Sequence, residues 1–172
     1  MSMEAIVAVY SDWGIGCGGT QPVTLHADRR RFRELTDGAA VVVGRRTLGD
    51  FPGGRPLKGR RNIVLTRQDI DIPDAEVVHS PAEAVVTDER RFVIGGESVY
   101  RQLMPYISRV YVTKLAIAPP SDSFFPDLDA DPDWVCSDGG EPLEENGISY
   151  RFCVYDRADD HDRDGAGEHI RR

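Results

Sequence analysis

No run of about 18 apolar residues occurs in the 172-residue chain, so no membrane-spanning helix is expected. The N-terminus, "MSMEAIVAVYSDW", lacks the basic start and cleavage pattern of a secretion signal. Cysteine is scarce and odd in number. Cys17, Cys136 and Cys153 have no metal-type spacing, and they read as reduced thiols of a cytoplasmic protein. Cations are outnumbered. The 21 Lys and Arg against 29 Asp and Glu leave a formal net charge of −8, which argues against nucleic acid as the main partner. No internal repeat is visible, and the Gly95-Gly96 stretch is not the usual dinucleotide fingerprint, since it has no G-x-G-x-x-G and is not at the first strand.

What is present reads as one soluble globular domain, with 40 % hydrophobic and 29 % charged residues. Short β-branched runs recur at 5–10, 39–44, 62–66, 75–79, 91–96, 109–117 and 150–156. Short helical patterns sit between several of them, at 26–35, 46–50, 80–86 and 97–106. In the third, Ser80 is placed as N-cap and Pro81 at the first helical position. Strands alternating with helices imply crossovers and a mostly parallel sheet. Residues 132–156 differ: strand-like pieces around Gly/Glu/Asn turns predict an antiparallel hairpin on one edge. The domain is expected over 1–156. Residues 157–172, "RADDHDRDGAGEHIRR", hold one large apolar residue, Ile170, and are expected to be a flexible tail.

Three stretches carry chemistry. In "RFVIGGESVYRQLM" a buried strand runs into Gly95-Gly96 and a helix begins at once. Such a turn either is merely tight or lets backbone amides approach an anion such as a diphosphate. In "VVVGRRTLGDF" a strand ends at Gly44, and Arg45, Arg46 and Thr47 open a short helix. The next strand ends in "LTR", Leu65-Thr66-Arg67. In a parallel sheet these strand ends share an edge, so Arg45, Arg46, Thr66 and Arg67 can surround one phosphate. That many cations favour NADPH over NADH. From Arg45 to Arg67 there are seven basic residues and one acid, Asp50: a basic island on an acidic protein.

The third stretch is "TLHADRRRFRELT". As a helix it puts Asp28, Phe32 and Leu35 on one face. The acid there has three readings: a first-turn charge favoured by the macrodipole, a hydrogen-bonded core acid, or a functional carboxylate in a pocket.

The order of these motifs resembles the dihydrofolate reductase family. The likeness runs over about residues 3–156 and includes "AIVAVYSDWGIG", "HADRRRFRELT", "VVVGRRT", "RPLKGRRNIVLT", "VIGGESVY", "VYVTKL" and "SDSFFPD". It implies a mixed, mostly parallel eight-stranded α/β sheet with an antiparallel C-terminal edge hairpin and about four flanking helices. It also implies NADPH-dependent reduction of 7,8-dihydrofolate to tetrahydrofolate, the one-carbon carrier for thymidylate, purine and amino-acid synthesis. Antifolates would be inhibitors, the chain would act as a monomer, and no metal would be needed.

By that resemblance Asp28 is the single active-site acid, which holds the pterin edge. Thr113 bonds the acid. Ile6, Phe32 and Leu57 wall the pterin and aminobenzoyl rings, and Arg60 pairs with the α-carboxylate of the glutamate tail. Ala8, Ile15 and Gly16 hold the nicotinamide, which Ile94 and Tyr100 flank together with the pterin. Gly44, Arg45, Arg46, Thr47, Leu65, Thr66, Arg67 and His79 fall on the adenosine-phosphate side. Gly95 and Gly96 match a glycine pair joined by a cis peptide, and Glu97, Ser98 and Val99 begin the helix behind it. The loop 11–23 reads as a lid over the nicotinamide, or as an ordinary flexible loop.

Three positions depart from the family pattern. Val23 stands where tryptophan is usual, His26 where proline is usual, and Leu48 where tryptophan is common. Two other functions stay open on the same fold. One is a riboflavin-pathway reductase acting on a ribosylamino-pyrimidine phosphate, which Asp28 with Arg60 disfavours. The other is a degenerate NADPH- or folate-binding protein, suggested by Val23.

Overall fold

The computed structural model describes residues 3–18, 21–85 and 88–158. Its strands are β1 (Met3–Val9), β2 (Gly14–Gly16), β3 (Ala40–Gly44), β4 (Arg61–Leu65), β5 (Glu76–Val78), β6 (Arg91–Gly95), β7 (Ile107–Leu115), β8 (Ser123–Phe124), β9 (Trp134–Asp138), β10 (Leu143–Glu145) and β11 (Ile148–Arg157). The helices are α1 (His26–Thr36), α2 (Arg45–Gly49), α3 (Pro81–Ala84) and α4 (Glu97–Leu103).

Eight strands lie side by side in the order β10-β11-β7-β1-β6-β3-β4-β5, and β9 also pairs with β11. The six strands from β7 to β5 are parallel. The pairings of β11 with β7, β10 and β9 are antiparallel. The expected mixed sheet with an antiparallel C-terminal edge is therefore present.

Alternation along the central strands sorts their side chains to two faces. Ala5, Val7 and Val9 of β1, with Ala40 and Val42 of β3, join one apolar cluster that holds Val99, Tyr100 and Leu103 of α4. Ile6 and Val41 point the other way and meet Phe92 and Tyr111, over which Phe32 and Leu35 of α1 pack. The α1 stripe seen in the sequence is thus the face that covers the sheet.

Two boundaries shift for physical reasons. The helix expected over 97–106 ends at Leu103, and Met104–Tyr106 tightens into a 3-10 turn, since Pro105 brings no N–H to an α-helical ladder. At the other end the fold reaches beyond 156. Arg157 closes β11 and donates to the carbonyls of Ile107 and Met104, at 3.0 and 2.5 Å. Ala158 is buried and its N–H donates to the Asp133 carbonyl at 2.8 Å. The rest of the expected tail, 159–172, lies outside the described residues.

Candidate active site

Parallel strands place their C-terminal ends on one edge, and a cleft of about 1860 Å³ opens there. It runs from α1 past the ends of β1, β6, β3 and β4 to α2.

Asp28 lines the cleft at the N-terminal end of the α1 face that carries Phe32. The hydroxyl of Thr113, buried in β7, donates to Asp28 Oδ1 at 2.5 Å. Burial raises the carboxyl pKa above its ordinary value. The Thr113 hydrogen bond opposes that, as do the nearby Arg31 and Arg29 charges, while Glu145 adds to the rise. Ile6, Phe32, Leu57, Ile94 and Tyr100 also face the cleft. The Tyr100 hydroxyl donates to the Ile6 carbonyl at 2.6 Å, and burial pushes its pKa up, so the phenol stays protonated. Among the described residues, the result is an apolar slot with one acid at its side.

Arg60 sits further along the slot, its guanidinium carbon 5.9 Å from the Phe32 ring centre. One of its nitrogens reaches the Lys58 carbonyl at 3.1 Å, while buried Nε has no partner among the described residues. A buried unpaired donor on a cation suits a carboxylate. The basic island divides here. Arg61 turns away from the cleft to pair with Glu76 and Glu89.

Arg45, Arg46, Thr66 and Arg67 come together at the opposite end, as expected, around a cavity of about 520 Å³ that Gly49 and Gln68 complete. The three arginines are exposed and make no ion pair among the described residues. Between the two ends, Ala8, Ile15, Gly16, Gly44, Thr47, Leu65, Glu97, Ser98 and Val99 line the same cleft. Gly95 and Gly96 are joined by a cis peptide on its floor. A Cβ on Gly96 would lie 2.8 Å from Thr47 Oγ1, so glycine is what lets β6 run so close to α2. A long groove with cations at one end and an apolar slot at the other fits an extended dinucleotide carrying a phosphate on its ribose.

His79 is one of two expected site residues set apart from the cleft lining. It is exposed, and its Nδ1 lies 2.9 Å from the Thr66 carbonyl, so it touches the site only through that strand end. Thr113 also lies behind the cleft wall and reaches it through Asp28.

The dihydrofolate reductase family model matches residues 2–157. The chain belongs to the dihydrofolate reductase family. It is 40 % identical over 164 residues to the dihydrofolate reductase of Mycobacterium tuberculosis (strain H37Rv), covering 92 % of this chain and 100 % of that one. It is 34 % identical to the enzyme of Staphylococcus haemolyticus, over 91 % of this chain and 96 % of that one. Among solved structures, dihydrofolate reductase from Enterococcus faecalis, complexed with NADP(H) and RAB-propyl, superposes with a TM-score of 0.81. The two share 29 % identity, over 92 % of this chain and 97 % of that one. The protein is accordingly an NADPH-dependent oxidoreductase that reduces 7,8-dihydrofolate to tetrahydrofolate.

The three departures from the dihydrofolate reductase pattern have visible consequences. Val23 packs against the core cluster of Tyr10, Leu25, Leu115 and Tyr150 and is not among the cleft-lining residues, whereas its neighbours Gln21 and Thr24 are. Leu48 fills a small core with Val43, Val64 and Phe51. His26 begins α1, and its N–H, which a proline would lack, donates to Glu145 Oε2 at 2.7 Å.

Several reductase contacts escaped the sequence reading. Gln21 Nε2 donates to the Ala8 carbonyl at 2.9 Å, and Gly18 N–H donates to Asp122 Oδ2 at 3.0 Å. Part of the loop expected to be a lid is a strand: Gly14 pairs with Phe124 and Gly16 with Ser123. Each contact joins segments whose proximity only the folded sheet reveals.

Proposed function

We propose that Asp28 is the acid of the reaction and that Thr113, Tyr100 and Arg60 hold substrate and acid in register. NADPH, when bound, supplies the hydride. The imine nitrogen of dihydrofolate must gain a proton so that its carbon can accept the hydride, and among the described residues Asp28 is the one carboxyl lining the apolar slot. Its raised pKa brings the protonated form closer to neutral pH than an exposed aspartate allows. Ionised, the same group pairs with N–H donors on a flat heterocycle. Ile6, Phe32 and Leu57 exclude water from that pairing, and Arg60 takes the α-carboxylate of the glutamate tail. Arg45, Arg46, Thr66 and Arg67 hold the ribose phosphate of NADPH, while Gly95, Gly96 and the start of α4 border its diphosphate. The same slot accepts flat antifolate inhibitors.

The single observation that carries this reading is the Asp28–Thr113 pair at the apolar end of a cleft whose other end is cationic. Asp28→Asn keeps an acceptor for Thr113 and loses the acid. Turnover at neutral pH should fall by roughly 10²- to 10⁴-fold while NADPH binding is kept. Full activity in this variant would remove Asp28 from the mechanism.

The folded domain reads as a cytoplasmic monomer. No disulfide joins its three cysteines, and Tyr106 and Val135 are the large exposed apolar residues among those described. Light scattering on the purified protein gives its mass; a dimer would contradict the monomer.

A further inference from the structure

We propose that Arg31 and Glu145 are positioning residues of opposite charge at the start of the Asp28 helix that together set the pH at which Asp28 takes up a proton. The inference rests on the role given to Asp28 above.

Glu145 is placed rigidly. It ends β10, and the next two residues, Asn146 and Gly147, both have positive φ, at 53° and 79°. That is the two-residue Asn-Gly hairpin turn, whose geometry matches strand twist. It aims the Glu145 carboxylate at the start of α1, where it accepts from the N–H of His26 at 2.7 Å and of Ala27 at 3.1 Å. Leu25, the residue at the N-cap, offers no side-chain cap of its own. Glu145 therefore satisfies two otherwise unpaired helix amides from 118 or more residues away and fixes the turn that presents Asp28.

Arg31 is one helical turn beyond Asp28. Its guanidinium carbon lies 4.5 Å from the Phe152 ring centre and 5.6 Å from that of Tyr111. Phe152 pairs across strands with Thr113, and Tyr111 is two residues before Thr113 on the same face of β7. The cation is thus seated on the two rings that neighbour Thr113 in the sheet. Burial lowers the Arg31 pKa, yet guanidinium stays charged at any working pH. Arg31 is faced by Asp28, Tyr111, Cys153 and Asp138. Asp28 is faced by Arg29 and Arg31 from α1, Thr113 from β7, Glu145 from β10, and the buried Tyr100 from α4. Within that set Arg31 favours the carboxylate and Glu145 favours the acid. If either residue only supported the fold, removing it would loosen the site without a preferred direction. If they act as charges, their removal shifts the acid in opposite senses.

The test is the pH dependence of single-turnover hydride transfer, together with ¹³C carboxyl titration of aspartate in the protein alone. Asp28→Asn identifies the Asp28 resonance. Arg31→Gln should raise the midpoint by roughly half a pH unit, and Glu145→Gln, which keeps an acceptor, should lower it by about as much. The double variant should return near the parent value, and Arg31→Lys should stay there. Midpoints that do not move, or that move in one direction for both variants, overturn the proposal. If the ¹³C midpoints move oppositely while hydride transfer ignores Asp28→Asn, the charge pair stands and the catalytic role of Asp28 falls.

Discussion

Asn62 holds Leu57 by both of its main-chain groups: the Leu57 N–H donates to Asn62 Oδ1 at 2.9 Å, and Asn62 Nδ2 donates to the Leu57 carbonyl at 2.8 Å. The same Nδ2 reaches the Arg60 carbonyl at 3.0 Å. One buried side chain on β4 therefore shapes the loop that carries a slot wall and the proposed carboxylate-binding arginine. Asn62→Ala leaves those groups unpaired and should cost about 1–3 kcal/mol of stability. It should also raise the KM for dihydrofolate with little change in NADPH affinity. A lower Tm with an unchanged KM would make Asn62 purely structural.

Arg60 itself gives a sharper substrate test. Methionine matches its stem and removes its charge. Arg60→Met should raise the KM for dihydrofolate roughly 10- to 100-fold, the worth of a charge-assisted hydrogen bond. NADPH affinity should stay as it is. A substrate analogue that lacks the α-carboxylate should bind the two proteins equally well.

Asp28 exacts a stability cost with a defined sign. Burial, the largest cause, raises its pKa above the unperturbed 3.8. Between those two values the folded protein binds more protons than the unfolded chain, so stability falls as pH rises through that window. Above the window the cost is present in full; below 3.8 it is absent. Asp28→Asn should therefore raise Tm at about pH 8 and change it little at about pH 3. Equal gains at both would assign the effect to packing instead.

The glycine floor is open to a steric test. In Gly96→Ala the new methyl meets Thr47 Oγ1 at 2.8 Å, and the Thr47 side chain or α2 must shift to admit it. The cost should be about 1–3 kcal/mol, with at least a tenfold weaker grip on NADPH. Adding Thr47→Ala should return part of the stability, as thermal melts of the double variant would show.

Local pattern was enough for much of this architecture. The Asp28, Phe32 and Leu35 stripe marked the face of α1 that packs on the sheet, and Ser80 does accept from the Glu83 N–H at 3.4 Å as an N-cap should. Strand ends at Gly44, Leu65 and Gly95 could be aligned because parallel strands must share an edge. What stayed hidden was side-chain pairing between distant segments. His26 looked like a missing proline, yet its meaning depends on Glu145, which the hairpin register delivers. Val23 looked like a damaged active site, yet its side chain belongs to a core rather than the cleft. Arg61 read as part of a basic island, though Glu76 and Glu89 claim it. Composition counts such charges without saying which way they turn.

The order of β11 in the chain and its place in the sheet are at odds. It is the last strand among the described residues, yet it alone joins β7 to both β9 and β10. While the polypeptide is being synthesised, Ile107–Leu115 has a neighbour in β1 on one side and bare backbone on the other. Such an exposed ladder is a template for aggregation until the final segment arrives. A nonsense codon anywhere before 148 would leave that template permanently open.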